Sequence, residues 1–246
     1  MERKVLAVTN NDLGFVEEST FIDSGNYYYL DKIDQYIPKT LITGAAIYDV
    51  TLEPDRDFYI KGSFEDGKFT ISTSYGGQET ILMIFIRGIV HLAFDRQPYT
   101  VPRSVVDAVL EPLTRGIFNI FKENNLMLKV NSNVLHSKSI ITIPESIQIM
   151  GTVVDVDRSY DELNLDGDDL YGLCDYYAKK IFIVNDSKQQ PYSNEVTFLH
   201  ELFHTILYHM GVIIRNKDHE EIIVEQLALY ILQIIRINNL AIMRRA

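Results

Sequence analysis

The chain has 246 residues, of which 46% are hydrophobic and 23% charged, a globular composition with apolar material for one large core or two modest ones. A formal net charge of -11 sets any contact with nucleic acid or an anionic membrane against repulsion, so neither is expected as a partner. The single cysteine, Cys174, excludes an internal disulfide and a CxxC metal site, fits a reducing compartment, and reads as a free thiol of the fold.

The amino terminus, MERKVLAVTNNDLGF, starts basic but lacks the apolar stretch and small-residue cleavage site of a secretion signal. The longest apolar run, ILMIFIRGIVHLAF, is broken by Arg87 and His91 and is too short to span a bilayer, so a soluble cytoplasmic protein is expected. Up to about residue 100 the pattern is one of short strands and loops: KVLAVTN, NYYYL, TLITGAAIYDVTL, DFYIKGSF and KFTISTSY set β-branched and aromatic residues between Gly, Pro, Asn and Asp. ETILMIFIRGIVHLAF fits two buried strands or one buried helix equally well. Ser104 to about Asn125 reads as a helix, kinked or interrupted at Pro112.

The polar piece NSNVLHSKS, 131–139, is the best candidate linker. It divides the chain into an N-terminal α+β domain over 1–130, available to bind a partner protein, and a C-terminal domain over 140–246. In the latter, ESIQIMGTVVDVD reads as a hairpin around Gly151, and GLCDYYAKKIFIV as a second strand pair. Between them lies an acidic loop, DVDRSYDELNLDGDDLYG. Aligning Gly167 with the glycine of a calcium-binding EF-hand loop puts Leu173 where a glutamate is needed, so a solvated loop is expected. Two helices, roughly 194–210 and 219–238, close the chain, and the fold class is α+β.

The first of these helices carries the chemistry. In NEVTFLHELFHTILYHMG, Asn194 to Gly211, the residues Leu199, Leu202, Phe203, Ile206, Leu207 and Met210 keep the i, i+3, i+4 rhythm of a buried stripe. Ser193 is a plausible N-cap after Pro191, and Glu195 suits the positive end of the helix dipole. His200 and His204 lie one turn apart on a neighbouring face, so both imidazoles can reach one ion. With Glu201 between them the run is HExxH, written HELFH. Two neutral imidazoles on adjacent turns bind Zn²⁺ at about 2.0 to 2.1 Å, and the adjacent glutamate can take a proton from a water on the metal without being a ligand. The competing structural reading is a pair of hydrogen-bonded core histidines.

A catalytic zinc site usually has three protein ligands. The metzincin pattern is excluded, since its glycine and third histidine fall at Leu207 and Met210. His209 is half a turn away from His200, and Tyr208 is a candidate hydroxyl for steadying developing negative charge. In the next helix, DHEEIIVEQLALYIL, Glu221 and Glu225 share a face. Glu221 has a competing role, because Asp218 to Glu221 matches a capping box; Glu225, among Ile223, Val224, Leu227 and Ala228, wants a cation. Residue physics alone leaves the two even.

HELFH followed by EIIVEQLALYIL resembles the ImmA/IrrE-type zinc metallopeptidases, and still more the small zincin-like metallopeptidase domains of phages and prophages. In the latter, stretches similar to IPESIQIMGTVVDV and YGLCDYYAKKIFI precede the histidine helix. The resemblance covers residues of about 140 to 246. It implies a zincin-like domain with a small sheet, the HExxH helix and a following helix. It further implies Zn²⁺ held by His200, His204 and Glu221, Glu201 as general base, and Glu225 as reserve ligand or as a group holding a histidine. GLCDYYAKKIFI would then edge the cleft, where it could pair with an extended peptide. The expected function is a zinc-dependent metallopeptidase acting on a protein or peptide in a bacterial host cell, phage or prophage encoded, with a narrow target. The alternative is a non-catalytic interaction or anti-defence protein whose zinc is structural or vestigial.

Overall fold

The computed structural model describes residues 6–8, 37–43, 46–53, 60–63, 67–72, 78–95, 101–130, 141–165, 168–184 and 191–244. The early strand expectations meet β1 (Leu6–Val8), β2 (Thr40–Thr43), β3 (Ala46–Glu53), β4 (Ile60–Ser63) and β5 (Lys68–Ser72), which form one sheet in the order β1-β4-β5-β3-β2. NYYYL and the linker expected at 131–139 lie outside the described residues. In β5, Phe69, Thr70, Ile71 and Ser72 are all buried, as a strand covered on both faces requires.

The ambiguous apolar run is a helix, α1 (Gln78–Asp95). Its periodicity is weak because it is buried almost all round, from Ile81 to Phe94, and a helix covered on every side has no polar stripe to mark its phase. Phe85 meets Phe69 of β5 edge-on at 6.3 Å between ring centroids. Helix α2 (Arg103–Glu123) runs unbroken through Pro112, so the interruption expected there is absent. Buried Arg87 of α1 pairs with Glu111 of α2, which supplies the charge an internal guanidinium needs.

Beyond α2 come β6 (Leu126–Val130), β7 (Ser146–Ile149), β8 (Thr152–Asp157), β9 (Leu163–Leu165), β10 (Asp168–Leu170), β11 (Gly172–Asp175) and β12 (Lys180–Ile183). The expected hairpin around Gly151 is β7–β8, turned by Met150 and Gly151 at φ of 50° and 76°, both on the left-handed side as a two-residue hairpin turn prefers. β9 and β10 pair within the acidic loop. The four-stranded sheet β11-β12-β8-β7 leaves β11 at its edge.

Helices α3 (Pro191–His209) and α4 (Lys217–Ile237) and strand β13 (Leu240–Arg244) complete the chain. β13 pairs antiparallel with β6. Asn238, just past α4, accepts from the Ile42 amide at 2.6 Å and donates to the Ile42 carbonyl at 2.9 Å, so an amide side chain pairs with edge strand β2. The buried apolar residues of all four helices, both larger sheets and the β6–β13 pair form one contiguous cluster. Among the described residues no helix is long and apolar enough to cross a membrane.

Helices α2 and α3 cross where Gly116 faces Ile206: a Cβ at Gly116 would lie 2.1 Å from Ile206 Cγ2. In an open helix Gly→Ala stabilises by roughly 1 kcal/mol, whereas overpacking costs about 1–3 kcal/mol. Gly116→Ala is therefore expected to lower the urea midpoint and Tm, and a stabilised variant would show that the helices do not cross so closely.

Candidate metal centre

The apolar stripe of α3 is buried as expected through Leu199, Leu202, Phe203, Ile206 and Leu207, with Met210 partly covered just past the helix end. The helix starts at Pro191, a residue suited to the first helical position, so Ser193 sits inside it and is not the N-cap. Glu195, 1% exposed, accepts the Ile141 amide at 2.8 Å and ties this end to the segment before β7. The other end closes on Gly211 at φ +69°, with the Val212 amide bonded to the Leu207 carbonyl and the Gly211 amide to that of Tyr208. This is a Schellman turn, and it sends the chain back along α3.

Asn216 then caps α4, its side chain accepting from the Asp218 amide at 2.9 Å and the His219 amide at 3.4 Å. That replaces the capping box expected from Asp218 to Glu221, and it leaves Glu221 turned to the histidines. His200 Nε2 and His204 Nε2 are 3.1 Å apart; Glu221 Oε2 lies 3.2 Å from the first and Glu221 Oε1 3.3 Å from the second. Tetrahedral ligands at about 2.0 to 2.1 Å from a zinc ion sit roughly 3.3 Å from one another, so the two imidazole nitrogens are near that spacing, while the carboxylate faces each of them with a different oxygen. These three residues are the group of His, Cys, Asp and Glu that could hold a metal among the described residues.

Glu225 is not part of the cluster. It is exposed on the cleft wall, so the argument that its apolar neighbours demand a cation does not apply. The task of holding a histidine falls to Glu220, whose Oε1 is 2.8 Å from His204 Nδ1. A carboxylate only accepts, so Nδ1 carries a proton and Nε2 is the nitrogen available to a metal. Sequence reasoning missed Glu220; with Asn216 recognised as the cap, a residue type favoured there, the phase of α4 could have been found.

The electrostatics follow from this crowding. Burial pulls the His204 pKa down, but hydrogen bonds to Glu220 and Glu221 and the charges of Glu221 and Glu201 outweigh it and lift it to about 9. Hydrogen bonds from His200 and His204 hold the Glu221 carboxyl well below the usual range. Glu201 is buried, and burial raises its carboxyl, offset in part by a bond from Cys174 and by the two imidazoles. Cys174 Sγ lies 3.0 Å from Glu201 Oε2, and burial followed by the Glu201 charge pushes this thiol far up.

All four groups open on a cleft of about 820 Å³, rimmed by Leu170 to Cys174, Tyr176 and α4. Tyr208 does not line it. It is 49% exposed and stacks on Tyr176 at 4.2 Å between centroids, and it is Tyr176, with Tyr171, that lines the cleft. Burial, then neighbouring negative groups, raise the Tyr176 pKa, so it stays a protonated donor. His209 packs edge-on to Tyr208, away from the cluster.

A raised histidine pKa stabilises the metal-free fold fully below about 6.5, the unfolded value, and that contribution disappears as pH rises through about 9. A zinc ion binding at pH 7 through His204 Nε2 would displace the proton carried there. Calorimetric titration in buffers of different ionisation enthalpy is expected to register about one proton released. Glu220→Gln should reduce that release and weaken zinc binding by about 10- to 100-fold; an unchanged affinity would remove Glu220 from the site.

The chain matches no family model, no curated protein and no solved structure, which leaves the chemistry of these residues as the guide to its function.

Proposed function

We propose that this protein is a zinc-dependent metallopeptidase with a zincin-like fold over residues 140–246. The observation that carries the reading is the meeting of His200, His204 and Glu221, with a Glu221 oxygen within 3.3 Å of each imidazole nitrogen and Glu201 beside them in one open cleft. The resemblance of HELFH and EIIVEQLALYIL to ImmA/IrrE-type and phage zincin-like metallopeptidases supports it from the sequence side.

His200, His204 and Glu221 would hold the ion, and Glu220 would fix His204 in the ligating tautomer. Zinc, when bound, polarises a carbonyl and lowers the pKa of a coordinated water to about 7. Glu201 takes the proton of the attacking water and hands it to the amine that leaves, so one carboxylate serves first as base and then as acid. Its raised pKa suits that double task, because a strongly acidic carboxyl would hold the proton too weakly to deliver it. Tyr176, which lines the cleft, would take the part expected of Tyr208, donating its phenol to a carbonyl oxygen gaining charge. The edge strand β11, on the rim of the cleft, would be the strand along which an extended peptide is laid.

The test combines metal analysis with hydrolysis. Purified protein should carry one zinc per chain, lost in His200→Ala, and should cleave members of a diverse peptide library scored by mass spectrometry. Glu201→Gln is expected to keep the zinc and lose at least about 10²- to 10⁴-fold in rate. Full activity in that variant, or zinc retained in His200→Ala, would overturn the reading.

A further inference from the structure

The carboxylate of Glu201 is buried against strand β11, and two residues of that strand shape its seat. Alternate strand residues face the same way, which sets Gly172 and Cys174 together toward α3. A Cβ at Gly172 would come within 2.8 Å of Glu201 Oε1, 2.9 Å of Glu201 Cγ and 2.6 Å of Thr197 Cγ2, so any side chain there would displace the carboxylate. On the other side, Cys174 Sγ lies 3.0 Å from Glu201 Oε2, 2.9 Å from the Glu201 carbonyl oxygen and 3.2 Å from Thr205 Oγ1.

A thiol has one proton to give, and the surroundings decide where it goes. The Glu201 carbonyl already accepts the Thr205 hydroxyl at 2.8 Å, besides the Thr205 amide of the helical ladder. Both of its lone pairs are therefore used. Thr205 Oγ1 keeps lone pairs to offer but is neutral and lies farther off at 3.2 Å, so the charged carboxylate oxygen at 3.0 Å is the strongest acceptor left within reach. With the thiol on Oε2, proton exchange with substrate falls to Oε1, the oxygen beside Gly172.

We propose that Cys174 is a positioning residue: its S–H donates to Glu201 Oε2 and, with Gly172 leaving room beside Oε1, holds the carboxylate in one orientation for proton transfer. The inference rests on the metallopeptidase reading for its catalytic consequence, whereas the contact itself can be tested without any substrate.

Because Cys174 is the chain's sole cysteine, its S–H stretch is a single infrared band in a window free of other protein absorption. In the zinc-loaded full chain the band should lie at lower frequency than that of a free thiol, and should move up in Glu201→Ala. A band unchanged by Glu201→Ala overturns the proposal. In kinetics, Cys174→Ala should lower kcat by about tenfold with KM and zinc content unchanged, and Cys174→Ser, which keeps a donor, should restore most of the loss. Gly172→Ala should likewise lose kcat while retaining zinc. Equal loss in the alanine and serine variants, or loss in neither, would also overturn it. Failure of the wild-type chain to cleave any peptide would instead sink the peptidase reading, and the infrared shift would still decide the contact.

Discussion

Helix α3 cannot shift without disturbing four neighbours, and that immobility is what gives the histidine pair its meaning. Gly116 lets α2 approach Ile206 too closely for a methyl group, and Glu195 holds the Ile141 amide at the opposite end. Strand β11 lies against Glu201 and Thr205 through Cys174, and the Schellman turn at Gly211 returns the chain so that Glu220 and Glu221 meet His204. Imidazoles on adjacent turns are common enough in helices. Imidazoles on a helix held at both ends and against β11 and α2, with a carboxylate at 3.2 Å, would lose little side-chain freedom were an ion to enter between them.

Legibility in the sequence followed the range of the interaction concerned. His200, Glu201 and His204 could be read because their mutual geometry depends only on helical spacing, and the buried stripe beside them repeats within one element. Glu221 and Glu225 could not be separated from residue physics, since the choice depends on the rotation of α4 about its axis relative to α3. That phase is set by Gly211 and Asn216, and a capping box in place of the Asn216 cap gives Glu221 a competing structural task and leaves Glu220 unnoticed. The same applies to the tyrosines. Tyr208 was nearer in sequence, but the turn after β11 carries Tyr176 over it into the cleft. Helix α1 failed to announce itself for the opposite reason, being buried too completely to show a period.

The role of Cys174 was illegible because a cysteine on a strand carries no sign of what it faces. Its reading as a free thiol of the fold is compatible with the structure as far as disulfides go. What only three dimensions supply is the set of acceptors around it, in which the charged one is a carboxylate oxygen of Glu201.

Three glutamates stand within a few ångströms of the two histidines, and their environments make them chemically unlike. Glu221, largely exposed at 59% of its side chain, is held ionised by the imidazoles it faces, as a ligand to a cation must be. Glu220 spends its charge on the Nδ1 proton of His204. Glu201 is withdrawn from solvent, and burial moves its proton affinity upward while its neighbours restrain the shift. Carboxyl groups separated in this way divide the labour of acid–base chemistry. The proton on His204 balances Glu220 and Glu221, so a cation bound there would replace a positive charge that the site already holds. A pair of histidines serving only the core would need one hydrogen-bond partner each; Glu220 and Glu221 together give His204 more than that, and the surplus is what the proposed hydrolytic reading would use.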